Sequence, residues 1–271
     1  MQKYQRIKEQ IEQADAILVS ASNGFSIAEG LHIFADDAAF QSLFGVFKAR
    51  YGIRSILQGL LFNWPAEEAR WAFYARLLNH YSGAYTGSAV MKALIQIIGE
   101  KPYFIVTSNG ENHFELAGLN AQNIFEIEGS WKEMRCADGC CATRYPTWPS
   151  IKQMAREETN GYIPTALLPR CPHCGGSMQL NFQPDLVQQQ AYQNFAAQYH
   201  NQKILVMELG VGARNQLIKA PLMQLVAQEP QAHYITFNKG EVFIPEAIQE
   251  KSIGVDGNLS ERLPEIAAML S

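Results

Sequence analysis

Two groups of residues in this 271-residue chain have the types and spacing to do chemistry. The first is a set of cysteines. Cys171-Pro-His-Cys174, followed by Gly175-Gly176, is a compact thiolate knuckle, and Cys136-Ala-Asp-Gly-Cys140 is a looser one. Two such pairs about thirty residues apart fit a closed tetrahedral zinc site, with four protein ligands and no position left for a substrate. Cys136, Cys140, Cys171 and Cys174 are therefore expected to hold a structural zinc, with Cys141 as the spare thiol. The second group is polar. Thr107-Ser108-Asn109 closes the apolar run Phe104-Ile105-Val106, and Glu128-Gly129 closes the apolar run at 124–127. Two short buried strands that deliver polar side chains at their carboxyl ends mark the ligand crevice of an open α/β sheet. Asn109 and Glu128 are thus the leading candidates for catalysis.

Other elements must position these groups. Tyr4, Ile7, Ile11 and Ala14 fall at helical spacing, which predicts a helix over 3–14. A buried strand at 16–19 runs into a loop of small residues at 20–26: Ser20, Ala21, Ser22, Asn23, Gly24, Phe25 and Ser26. Strand, small-residue loop and helix together form an arrangement whose backbone N–H groups attract anionic oxygens. Residues 30–100 read as a helical insertion, with strong helices over 66–80 and 88–98. Trp64, Trp71, Phe73 and Tyr74 read as core, because aromatics at helical spacing usually are. Further on come a helix at 187–199, a strand at 203–209 ending in Gly210-Val211-Gly212, and a helix at 221–228. A strand at 233–237 ends in Asn238, and 242–244 reads as a short strand or hairpin return. A last strand at 252–255 ends at Asp256-Gly257, before a closing helix at 259–270. The alternation predicts an α/β fold, a Rossmann-like doubly wound parallel sheet. The domain reading is a Rossmann-like nucleotide-binding domain at 1–130 and 183–271, with a small zinc-ribbon module at 131–182.

Composition narrows the class. Hydrophobic residues make up 47% of the chain, enough for a sizeable core. The net charge of -4 argues against a nucleic-acid partner held by charge. No apolar run is long enough to span a bilayer, so no membrane partner is expected. The N-terminal residues lack a signal-peptide apolar core, and five cysteines is an odd number for a disulfide framework. The expected location is cytoplasmic.

The order of parts resembles the sirtuin family. Thr107-Ser-Asn109 resembles its Thr-Gln-Asn motif, Glu126-Ile-Glu-Gly129 its Leu-His-Gly motif, and Leu209-Gly-Val-Gly212 its Gly-Thr-Ser loop. Leu180-Asn-Phe182 falls where the family has its peptide-pairing strand, and Phe237-Asn238 resembles the Ile-Asn that holds the adenosine ribose. Gly30-Leu-His-Ile-Phe34-Ala35 stands where common sirtuins carry Gly-Ile-Pro-Asp-Phe-Arg, so that Asp and Arg are absent; the family's later Asp is Glu111. The His of deacylating sirtuins is Glu128 here. This pattern is similar to the macrodomain-linked (class M) microbial sirtuins, which look like protein ADP-ribosyltransferases. The resemblance implies NAD as co-substrate, zinc as structural metal, and transfer of ADP-ribose to a protein side chain with release of nicotinamide. It implies that Ser20, Ala21, Ser22, Asn23, Gly24, Ser26, Phe34, Ser108, Asn109, Glu128, Gly210, Val211, Gly212, Asn238 and Asp256 bind NAD. It further implies a protein acceptor, for which a lipoyl-carrier protein is the model, and a macrodomain hydrolase as reversing partner. NAD-dependent lysine deacylation, NAD hydrolysis and non-catalytic NAD or ADP-ribose binding are the alternatives. His32 and His113 are further candidates in the same region.

Overall fold

The computed structural model describes residues 2–270. The chain opens with α1 (Gln2–Gln13) and β1 (Ala16–Ala21), then runs through α2 (Asn23–Ala28), α3 (Ala38–Tyr51), α4 (Ile56–Leu61), α5 (Glu67–Leu78) and α6 (Ala89–Ile98). It returns to the sheet as β2 (Tyr103–Thr107), and one helical turn, α7 (His113–Leu116), leads to β3 (Ile124–Glu126). An excursion follows: β4 (Ser130–Cys136), β5 (Arg144–Pro146), α8 (Trp148–Glu157) and β6 (Met178–Asn181). The last part is α9 (Leu186–Gln198), β7 (Ile204–Leu209), α10 (Gln216–Gln228), β8 (His233–Asn238), β9 (Ser252–Asp256) and α11 (Leu259–Met269).

The main sheet has the order β3-β2-β1-β7-β8-β9, and every pairing in it is parallel. Parallel strands are covered on both faces, which is why β1 and β7 read as apolar runs and are buried along their whole length. On one face Ile7 and Ile11 of α1, Leu94 and Ile97 of α6, and Leu263 and Ile266 of α11 share a core with Val19, Met207 and Ile235. On the other, Ile218, Leu222 and Val226 of α10 share one with Leu18, Val206 and Tyr234. Strand order reverses between β1 and β7. The connections diverge there, and the crevice above the carboxyl ends of those strands is where such sheets bind ligands.

The two excursions from the sheet share a core of their own. Phe40, Phe44 and Phe47 of α3 and Trp71 and Phe73 of α5 cluster with Trp131, Ile151, Met154 and Leu180. The aromatic residues of 64–74 are therefore packing groups: Trp71, Phe73 and Tyr74 are buried, and the Trp64 indole N–H donates to the Gly59 carbonyl at 3.0 Å. The antiparallel sheet β5-β4-β6 belongs to this second layer and carries Cys136 at the end of β4.

Three sequence expectations differ in detail. β1 continues to Ala21, which pairs with Thr107 and Leu209, and α2 begins at Asn23, so the small-residue loop shrinks to Ser22. α10 begins at Gln216 rather than at Pro221. Pro221 removes only the hydrogen bond to the carbonyl of Leu217, and both residues are exposed, so the helix tolerates it. Residues 242–244 form no strand; this loop lies across β9, where a Cβ on Gly254 would stand 2.4 Å from Val242 Cγ1.

Candidate active site

The strand ends meet over the crevice. Asn109 leaves β2 with its backbone N–H on Thr107 Oγ1 at 3.0 Å and its side-chain Nδ2 on the Ser22 carbonyl at 3.1 Å. That fixes the amide orientation and turns Oδ1 the other way. The residue is only 5% exposed, it lines a cavity of about 800 Å³, and Oδ1 has no partner among the described residues. A buried acceptor without a donor costs about 1–3 kcal/mol, which a ligand hydroxyl or a water recovers. Beneath it, Ser22 Oγ and Ser108 Oγ lie 2.9 Å apart, and Asn215 Nδ2 donates to both at 3.2 Å. This trio ties the ends of β1 and β2 to the loop after β7.

Glu128 lines the same cavity from the end of β3. It is exposed and has no hydrogen-bond partner among the described residues, and partial desolvation by the protein around it raises its pKa above the ordinary carboxylate range. Its turn is held by Gly129, whose φ of 85° suits glycine and whose Cβ position would be 2.3 Å from the Asn181 carbonyl oxygen of β6. Behind the turn Glu126 accepts from Asn112 Nδ2 at 2.5 Å, and the same Nδ2 reaches Ser130 Oγ at 2.6 Å. Burial, only partly offset by Lys132, pushes the Glu126 carboxyl up to about 7. Glu111, a second acid of the cavity, is 3% exposed, accepts from Ser26 Oγ at 2.5 Å, and is also pushed up by burial.

Among the sequence-expected residues, Asn23, Ser26, Phe34, Ser108, Asn109 and Glu128 line this cavity. Gly24, Gly210 and Asn238 line a neighbouring one of about 530 Å³, together with His32 and Lys239. Ser20, Ala21, Ser22 and Val211 are buried and line neither, and Gly212 also lines neither. Asp256 is exposed and accepts the Gly240 N–H at 2.8 Å, holding the turn after β8. His113 faces away from the cavity: its ring bonds Glu29 and the Tyr81 carbonyl and stacks on Tyr85 at 4.0 Å. Burial alone would lower its pKa, but the Glu29 bond and the Glu111 charge outweigh it and the pKa is raised.

Sequence reading missed Trp131, Arg214 and Asn215 at the cavity. Arg214 and Asn215 precede Pro221, where the helix was expected to start, so they lay in unassigned chain. Trp131 gave no local signal; its indole fills the space over Gly110, where a Cβ would stand 2.7 Å from Nε1.

The four expected cysteines come together. The sulfurs of Cys136, Cys140, Cys171 and Cys174 all lie within 4.8 Å of one another, with Cys136–Cys174 at 3.7 Å and Cys140–Cys171 at 3.5 Å. A zinc ion bound tetrahedrally at about 2.3 Å sets its sulfurs about 3.8 Å apart, so the set fits that metal. Cys141 lies outside the four.

No protein-family model matches the chain. It is 29% identical over 262 residues to a protein ADP-ribosyltransferase of Staphylococcus aureus (strain Mu50 / ATCC 700699), covering 92% of this chain and 82% of that protein. It is 25% identical over 279 residues to a probable bifunctional ADP-ribose hydrolase/ADP-ribosyltransferase of Fusarium oxysporum f. sp. cubense, covering 95% of this chain but 46% of that protein. Among solved structures, a Sir2 homologue in complex with NAD superposes with a TM-score of 0.64 at 15% identity, covering 98% of this chain and 93% of the other. A mutant Sir2 homologue bound to ADP-ribose gives 0.60 at 14%, covering 98% and 95%. The sheet order, the two excursions and the four-cysteine cluster thus sit on a fold shared with Sir2 homologues over 98% of this chain.

Proposed function

We propose that the chain transfers ADP-ribose from NAD to a protein side chain and releases nicotinamide. The observation that carries this reading is the pair at the head of the cavity: the orphaned Oδ1 of Asn109 and the unpartnered carboxylate of Glu128. The relative named as a protein ADP-ribosyltransferase and the fold shared with an NAD-bound Sir2 homologue support it. Asn109 orients the nicotinamide ribose through Oδ1. Glu128 faces the positive charge that develops at the ribose carbon as the bond to nicotinamide breaks and its electron pair leaves with the ring. The acceptor atom bonds that carbon and loses a proton, which Glu128 takes; a carboxyl raised toward neutrality suits that role. The neighbouring cavity, with Asn238 and Gly210, takes the adenosine side, and Asp256 flanks the adenine.

The lack of a His at position 128 removes the base on which deacylating sirtuins rely, which disfavours lysine deacylation. The acceptor is read as a protein, with a lipoyl-carrier protein as the model target. A relative whose name joins a hydrolase to a transferase supports a macrodomain hydrolase as reversing partner. Residues 131–182 act as a zinc-held module, and 1–130 with 183–271 as the NAD-binding part. No helix among the described residues is long and apolar enough to cross a membrane, and the location is read as cytoplasmic. Purified protein incubated with NAD should release nicotinamide in proportion to ADP-ribose attached to an added acceptor protein. Nicotinamide release that is unchanged without acceptor would make the protein an NAD hydrolase, and binding without turnover a non-catalytic module.

A further inference from the structure

The loop at the end of β1 has the sequence of an anion cradle, but several of its backbone donors are engaged. The Gly24 N–H donates to the Gly210 carbonyl at 3.0 Å, and the Phe25 N–H to the Ser22 carbonyl at 2.8 Å. Ser22 N–H is on the Leu209 carbonyl at 3.3 Å and Gly210 N–H on the Phe237 carbonyl at 2.9 Å. The two loops interlock so closely that a Cβ on Gly24 would stand 2.6 Å from Gly210 Cα. The cavity beyond them holds two carboxylates, Glu111 and Glu128, which repel an anion. Arg214 is the one basic side chain among the described residues that line it. It is exposed and has no ion-pair or hydrogen-bond partner among them. Its position is fixed from below, because the next residue, Asn215, bonds Ser22 and Ser108 at the ends of β1 and β2. It also stands just before the positive end of the thirteen-residue helix α10, which adds to its field.

We infer that Arg214 is the pyrophosphate-binding side chain of this cleft. The inference rests on the NAD reading above and adds to it a guanidinium from the β7–α10 loop, which supplies positive charge that the partly engaged backbone of the first loop lacks. A planar fork that donates to two phosphate oxygens at once suits this ligand better than an ammonium does.

Titration calorimetry with ADP-ribose, NAD and adenosine tests it on wild type, Arg214→Ala and Arg214→Lys. Loss of a charged, bidentate contact should weaken ADP-ribose and NAD binding about 10- to 100-fold in Arg214→Ala. Arg214→Lys should fall between, adenosine affinity should not change, and raising ionic strength should weaken ADP-ribose binding more in wild type than in Arg214→Ala. Equal ADP-ribose affinity in wild type and Arg214→Ala overturns the inference and leaves the NAD reading standing. So does an unchanged NAD affinity with a raised KM for the acceptor protein, which would turn Arg214 toward the acceptor. Wild type that binds neither NAD nor ADP-ribose overturns the NAD reading itself.

Discussion

In the proposed reaction Asn109 and Glu128 divide the chemistry between them. Asn109 is held on both sides, by the Ser22 carbonyl and by Thr107 Oγ1, so its free oxygen is aimed before any ligand arrives. Asn109→Ala should lower the rate of nicotinamide release about 100-fold or more, in line with loss of one preorganised polar group, with thermal stability little changed. Glu128 acts as a base only when ionised, and partial desolvation raises its pKa. Transfer rate should therefore rise with pH through a value above the ordinary carboxylate range. Glu128→Gln should lower the rate and remove that limb of the pH profile; a profile that survives the substitution would assign the limb to another group. Both residues were legible in the sequence because a polar residue at the end of an apolar run is a strand-end signature. Asn215 was not, because its role comes from hydrogen bonds to residues 193 and 107 positions away.

At the scale of elements, the turn after β3 is held by a buried acid. Glu126 joins Asn112, in left-handed conformation at φ 66°, to the segment that starts β4 at Ser130. Its carboxyl titrates at about 7 in the folded protein, against 4.5 as its ordinary value. The folded state thus binds the proton more tightly than the unfolded chain. That stability is complete below the unfolded pKa and is lost as pH rises from about 4.5 to about 7. Glu126→Gln keeps an acceptor for Asn112 and should remove this loss, raising unfolding free energy at pH 8 by up to about 3 kcal/mol with little effect at pH 4. Denaturant unfolding at the two pH values measures it, and a variant less stable at both would show that the carboxylate is needed ionised. The helix ends were readable from such local chemistry: Ser88 caps α6 by accepting the Met91 N–H, and Gly52 ends α3 at φ 71°. The start of α10 was not, because a proline at an exposed sixth position mimics one at the first turn.

The whole molecule joins a six-stranded parallel sheet to a second layer made by two chain excursions. Alternating strand and helix patterns made the sheet readable from the sequence. The shared core of the second layer was not readable, since nothing local links Phe44 and Phe73 to Ile151 and Leu180. Cys136 and Cys171 are buried in the same core as Trp131, which also lines the cavity. Metal analysis should find about one zinc per chain, and Cys171→Ser should lower the melting temperature by more than about 5 °C. Because Trp131 belongs to both the core and the cavity, zinc removal should also weaken NAD binding; a metal-free protein with unchanged melting would contradict the structural role.

In the proposed reaction this cleft attaches ADP-ribose to protein. NAD labelled in its adenylate phosphate, incubated with the enzyme and a lipoylated carrier protein, tests it most directly, with an acetyl-lysine peptide as the competing acceptor. The expected result is label covalently bound to protein, matched by released nicotinamide and reduced in Glu128→Gln. Deacetylation of the peptide coupled to NAD consumption, with no label on protein, would contradict it.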